Sequence, residues 1–430
     1  MDSKTELAAK IKGFWRVLGP GLVTGAADDD PSGIATYSQT GAQFGYGQLW
    51  TALFMLPLMI AVQEACARIG LASGKGITTV VKEHYNKWVL YSVVGLVVIA
   101  NTINIGADLG AMAAAAQLLV PASFILLTLL FTSIILVLEI FLNYKSYAKV
   151  LKWLAVTLMA YPITLFIVHQ PWGTILKATV VPHFEFSFAF FFIITGVLGT
   201  TISPYMFFWE ASQEVEELDE KHLLTQDKPL ISWMSIHKMR LDNAFGMIFS
   251  EFATWSIIVV AATVLHGSGV KNINTAADAA KALEPLVHSF PNAGFLAKLI
   301  FSFGIICLGL LAIPVLSGSA AYSVAESLNW KASLNLKLKK APGFYIIIIA
   351  ATAIGLLLNF IGVNPVKALV YSAVLNGVAA VPLIFLILKI SADQKIMGEF
   401  KSMWLSKTIL WVTFIAMGAA AVAMFFTIGK

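Results

Sequence analysis

Charge is what this 430-residue chain has least of: Asp, Glu, Lys and Arg make up 12% of it, against about 25% in soluble domains. A soluble chain of this length cannot cover its surface with so few charges, so water is excluded as its main solvent. Cysteine is scarce too. Cys66 and Cys307 both lie in apolar runs, which excludes a disulfide framework and a cysteine metal cluster. No low-complexity segment or separate soluble domain interrupts the chain. The formal net charge of +5 is spread over connecting segments, without a basic stripe of interleaved aromatics, so nucleic acid is not expected as a partner. No short apolar core with a cleavage site precedes the first hydrophobic run, and residues 1–18 are read as a polar cytoplasmic segment, not a removable signal peptide. What the chain does have is apolar residues, at 58%, and a mean hydropathy of +0.80. A lipid bilayer solvates that excess.

A membrane-crossing helix needs about 20 mostly apolar residues. Eleven stretches qualify: 19–43, 48–70, 88–117, 121–142, 149–169, 186–212, 241–265, 294–323, 343–362, 366–390 and 407–428. With the N-terminal side taken as inside, 23 of the 29 Lys and Arg residues fall on that side and six on the other. By the positive-inside rule the chain is expected in the cytoplasmic (inner) membrane, N-terminus inside and C-terminus outside. Residues 19–430 form a single transmembrane domain in this reading. The longest connections are 213–240, inside, and 266–293, outside. Within the second, 272–287 has helical spacing and is expected to lie along the membrane surface.

Two spans carry a proline in mid-membrane. The first reads Gly25-Ala26-Ala27-Asp28-Asp29-Asp30-Pro31-Ser32-Gly33, and the sixth reads Gly199-Thr200-Thr201-Ile202-Ser203-Pro204-Tyr205. Proline has no N–H, so the carbonyl four residues earlier loses its partner. Those carbonyls belong to Ala27 and Thr200. The preceding residues, Asp30 and Ser203, are pushed out of helical geometry. A lone proline in a membrane helix is usually a packing kink. A matched pair with an acidic cluster points instead to an oxygen-rich cation pocket, since an unpaired carbonyl in hydrocarbon must be satisfied by protein, water or an ion. The five-span offset fits a transporter of two inverted five-helix repeats, about 19–169 and 186–390, with an extra helix at 407–428. Asp30, beside the break, is the expected metal ligand. Adjacent helical residues point in different directions, so Asp28 and Asp29 are left as cavity lining or as pairing groups.

Gly19-Pro20-Gly21-Leu22 through Asp30-Pro31, continuing to Gly41-Ala42-Gln43-Phe44-Gly45-Tyr46, resembles the first helix of the Nramp divalent-metal transporters. The sixth helix is similar too. The resemblance implies the LeuT-type fold, all-α and integral to the membrane, with helices 1 and 6 discontinuous. It also implies a transporter, not an enzyme. Nramp helix 1 reads Asp-Pro-Gly-Asn, whereas this chain has Gly33 where the metal-binding Asn stands. Nramp helix 6 reads Met-Pro-His, whereas this chain has Ser203-Pro204-Tyr205, without the sulfur ligand. The family's coordinating carbonyls fall on Ala27 and Thr200. Its helix 3 acids, implicated in proton transfer, fall on Asn104 and Ala107, with Asp108 adjacent on a different face, and its helix 10 Gln falls on Ala373. This pattern resembles the Nramp-related magnesium transporters.

The loss of sulfur removes what selects soft metals. With Gly33 and Ser203 in place of larger side chains, the site is expected to be wide and poor in direct ligands. Mg2+ sheds water reluctantly and binds through one or two carboxylates while keeping several waters. The expected cargo is therefore Mg2+, and Mn2+ with it, partly hydrated and carried without proton coupling by alternating access. Thr200, Thr201 and Ser203 contact the hydration shell in this reading. The metal is substrate, no cofactor is implied, and a monomer is expected. A proton-coupled Mn2+/Fe2+ importer and a cation-coupled organic-solute symporter of the same fold are the alternatives. Glu210 is read as an exit-path or snorkelling carboxylate. Asn104 and Asn376 are read as hydrogen bonding between helices. The runs 213–220 and 337–340 are read as solvated faces.

Overall fold

The structure, a computed structural model, describes residues 25, 28–141, 155–225 and 228–429. Among the described residues, nine helices are long and apolar enough to cross a membrane. With the shorter α1 and α5 added, the helices of the bundle in chain order are α1 (Pro31–Phe44), α2 (Trp50–Ser73), α3 (Lys87–Ala116), α4 (Phe124–Phe141), α5 (Ala160–Ile167), α6a (Phe188–Thr201), α6b (Pro204–Glu220), α7 (Trp233–Ala261), α8 (Ala293–Ser327), α9 (Pro342–Leu358), α10 (Pro365–Ala392) and α11 (Trp404–Phe426). Their starts follow ordinary capping chemistry. Asn86 accepts from the Val89 N–H at 2.9 Å ahead of α3, and Asn364 accepts from the Lys367 N–H at 3.1 Å ahead of α10, where Pro365 takes the first helical position.

Burial separates the inner helices from the lipid-facing ones. The most apolar window of α6 is 94% buried, whereas that of α4 is 28% buried. Leu126, Leu130 and Val137 of α4 point outward, as lipid contact requires. The core therefore sits around α6 and its neighbours.

The packing follows the five-helix offset. Four early spans lie against their later counterparts: α1 against α6a, α2 against α7, α3 against α8 and α4 against α9. The α3–α8 pair runs antiparallel, because Ser302 reaches the Ala115 carbonyl at 2.7 Å while Asn101 reaches the Leu316 carbonyl at 2.9 Å. Counterparts that meet in reversed direction are what an inverted repeat produces. A close approach joins α6a to α10, where a β-carbon on Gly199 would lie 2.2 Å from the Gly377 nitrogen. Only glycine permits that contact. α11 packs on α10, α6a and α2, outside both repeats.

Two boundaries differ from the sequence reading. α6b continues to Glu220, and α7 begins at Trp233, so the connection between them is short. The run 213–220 is consequently not a solvated face throughout: Glu214 is buried against its neighbours. Residues 337–340 are exposed, as expected. The stretch 272–287 forms Ala276–Ala280 and Glu284–Val287, joined by a 3-10 turn at Lys281–Leu283.

Candidate metal centre

Both prolines break their spans. Asp30 (φ −66°, ψ 173°) and Ser203 (φ −83°, ψ 136°) are extended, and Pro31 and Pro204 open new helices. Asp30 caps α1: its Oδ1 accepts from the Gly33 N–H at 2.8 Å and from the Ser32 hydroxyl at 2.6 Å. A carboxylate is favoured there, because the first N–H groups of a helix have no internal partner and the helix dipole is positive at that end. Oδ2 is left out of the cap, and the Tyr205 phenol of α6b faces the carboxyl group.

The α6 break is finished differently. The Ser203 hydroxyl turns back and donates to the carbonyls of Gly199 and Thr200, each at 2.7 Å. The Thr200 carbonyl that Pro204 releases is therefore already engaged. Side chains from the two breaks meet: Ser32 Oγ lies 3.4 Å from Thr200 Oγ1, and the Tyr37 phenol lies 2.9 Å from Thr201 Oγ1. Asp30, Gly33, Thr200, Thr201 and Ser203 are thus brought together and buried from both sides of the bundle. The Ala27 carbonyl lies outside the described residues.

The expected width is corrected at Gly33. A β-carbon there would sit 3.2 Å from Thr200 Oγ1 and 3.2 Å from the Tyr37 ring. The space vacated by a side chain is taken up by Thr200 of α6a and the Tyr37 ring.

The neighbouring acids separate by direction. Asp28 accepts from Ser250 at 2.7 Å and Asp29 from Thr254 at 3.2 Å, so both turn towards α7, away from the α6 break. Glu251 of α7 is buried, with neither oxygen hydrogen bonded, and it feels the charge of Asp29. Asp108 corrects the sequence reading. It is fully buried on α3, neither oxygen has a hydrogen-bond partner, and its charge interacts with that of Asp30. The signal was present in the spacing, since Asp108 stands four residues after Asn104 and so on the same face of α3. Asn104 is buried with both amide atoms unbonded, so its expected bond between helices is not formed. Ala107 is buried on α3, and Ala373 packs with its carbonyl against Gly199. Glu210 is wholly buried and does not snorkel. Glu64 is occupied by Arg68 (2.9 and 3.0 Å) and Arg240 (2.8 Å), and Glu139 by the Ser317 hydroxyl. Among the described residues, no three His, Cys, Asp or Glu side chains converge into a metal cage. One capped carboxylate facing hydroxyls is the arrangement at the breaks.

The profile of the Nramp family, described as natural resistance-associated macrophage protein-like, matches residues 21–427. The chain belongs to the Nramp family. It is 25% identical over 408 residues to the divalent metal cation transporter MntH of Klebsiella pneumoniae, covering 93% of this chain and 90% of that protein. Among solved structures it is similar to the Eremococcus coleocola manganese transporter in complex with an aromatic bis-isothiourea substituted compound. The TM-score there is 0.72 at 15% identity, over 96% of this chain and 87% of the other. MhsT in complex with L-phenylalanine matches with a TM-score of 0.60 at 11% identity, over 95% and 98% of the two chains. The nucleobase-cation-symport-1 transporter Mhp1 in a closed conformation matches with a TM-score of 0.58 at 14% identity, over 96% and 92%. The fold is the LeuT type. As an Nramp protein, the chain is a multi-pass membrane transporter of divalent metal ions, not an enzyme.

Proposed function

We propose that this Nramp protein imports Mg2+, and Mn2+ with it, as a partly hydrated ion without proton coupling. The observation that carries the reading is the donor set at the two breaks. Asp30 supplies the one carboxylate, Ser32, Thr200, Thr201 and Ser203 supply hydroxyl oxygens, and no sulfur stands at the position before Pro204. Oxygen donors suit hard cations, and a thioether is what would favour softer ones. With the Thr200 carbonyl engaged by Ser203, the α6 break offers its hydroxyls to waters on the ion more readily than a bare carbonyl to the ion itself. Mg2+, which keeps its waters, fits that surface. The Ala27 carbonyl and the backbone at Gly33 complete the proposed site. Two charges moving through 100 mV release about 4.6 kcal/mol, enough to drive uptake alone. The lysine asymmetry supports a cytoplasmic-membrane location with the N-terminus inside, and the protein is proposed to act as a monomer.

Asp108 favours a second reading, in which a proton moves with the metal. A buried carboxylate without hydrogen bonds, close enough to Asp30 to feel its charge, is a group able to hold a proton. The two readings separate in proteoliposomes loaded with a pH dye. Mg2+ entry with no internal acidification is expected. Acidification that scales with metal entry, and that Asp108→Asn removes, would overturn the uncoupled reading in favour of the second.

A further inference from the structure

Between the C-terminal end of α3 and the α7–α8 and α9–α10 connections the bundle opens into a vestibule of about 580 Å3. Its polar lining is uncharged, supplied by Gln117, Asn274, Thr275, Asn359 and Asn364. Below it lies a neck of about 20 Å3, bounded by Ile34, Ala35, Ala111, Ile273, Phe301 and Ile305. The two spaces share Ala114, Ala276 and Val366 as wall residues, so they are adjacent. Ile34 and Ala35 of α1 line the neck and directly follow Gly33, so the neck lies beside the metal centre. A space of this size holds about one water. A hydrated divalent ion does not pass it, and the wall is apolar.

Part of that wall belongs to the α7–α8 connection, through Ile273 and Ala276. One side chain of α1 holds this segment in place. Gln39 is 7% exposed. Its Oε1 accepts from the Ile273 N–H at 2.9 Å, and its Nε2 donates to the Lys271 carbonyl at 3.2 Å and to Gln43 Oε1 at 2.9 Å. An amide side chain carries one acceptor and one donor group side by side, as a backbone peptide does. Gln39 therefore pairs with the loop as a single residue of strand would. The next residue of the loop is tied to α10, where Asn364 Nδ2 donates to the Asn274 carbonyl at 3.0 Å.

We propose that Gln39 is the positioning residue that latches this mouth shut. It sits on the same helix as Asp30, nine residues on, so a movement of α1 on metal binding is passed directly to the loop over the neck. Releasing two bonds from one side chain frees Ile273 and opens the path to the site. The latch acts on the loop and touches no metal, so it rests on alternating access in the Nramp fold and not on which ion is carried.

The test uses the full-length protein in nanodiscs, with both native cysteines replaced by alanine and a reporter introduced by Ala111→Cys in the neck. A cationic, membrane-impermeant methanethiosulfonate reagent reads access. Gln39→Leu should raise the labelling rate about tenfold, because that rate follows the fraction of time the mouth is open. Gln39→Glu keeps the acceptor for Ile273 and loses the donor for Lys271, so an intermediate rate is expected. A second reporter, Ala67→Cys, is buried with Leu71, Leu218 and Ile236 at the opposite end of the bundle. In an alternating transporter its labelling should stay level or slow when Gln39 is replaced. An unchanged rate at position 111, or acceleration at both reporters, which is the mark of a loosened fold, overturns the proposal.

Discussion

The two breaks begin from the same event, a proline in mid-membrane, and end in opposite chemistry. At α1 the residue before proline is an acid, and it caps the helix that follows: Asp30 takes the Gly33 N–H and the Ser32 hydroxyl on one oxygen. At α6 the residue before proline is a hydroxyl, and it closes the helix that came before: Ser203 donates to the Gly199 and Thr200 carbonyls. One break therefore presents charge and the other satisfies itself. An ion placed between them has one strong partner, on α1. It meets a wall of neutral oxygens on α6, which suits water still attached to the ion. The identity of a single residue before each proline sets this division. Proline makes the gap, and its neighbour decides whether the gap faces outward or inward.

The division can be broken most severely at Asp30. Asp30→Asn keeps the shape and a cap acceptor but removes the charge, and Mg2+ flux into proteoliposomes should fall by about a hundredfold, the order expected when a charged partner worth roughly 3 kcal/mol is lost. Flux at the parent rate would place the ion elsewhere. Ser203→Met changes the other wall. It removes both donations to carbonyls and adds a thioether, so competition assays should move Mn2+ and Cd2+ ahead of Mg2+. An ion ranking that does not move would take position 203 out of selectivity. The smallest effect is expected at Gly33. A methyl group there meets Thr200 and the Tyr37 ring at 3.2 Å, and overpacking of about 1 kcal/mol should slow transport a few-fold by resisting the closed state. Faster transport by Gly33→Ala would mean that the contact between α1 and α6a is not part of the cycle.

Much of the fold was legible along the chain because the bilayer imposes local rules. Span positions and the paired prolines are each read from a short window, and the structure has helices at the described spans and breaks at both prolines, with the α6–α7 boundaries moved. The failures are those of distance. Asp108 was set aside on α3 by its neighbour Ala107, although its spacing from Asn104 carries it to the face that meets Asp30. Glu214 was read with the charged run around it, although α6b carries it inward. Gly33 was read as added room, because a sequence states the volume lost at one position and not what a facing helix does with it.

The sequence by itself determined where backbone hydrogen bonding must fail, since proline chemistry acts over four residues, and which chemical groups stand beside each gap. Only the tertiary structure decided which carboxylates share a neighbourhood, that Ser203 closes its own carbonyls, and that Gln39 finds the Lys271–Ile273 backbone. Those choices depend on side-chain directions between helices far apart in the chain. Burial makes them matter, because in a low-dielectric interior a few ångströms decide whether a polar group is paired or left exposed to a passing ion.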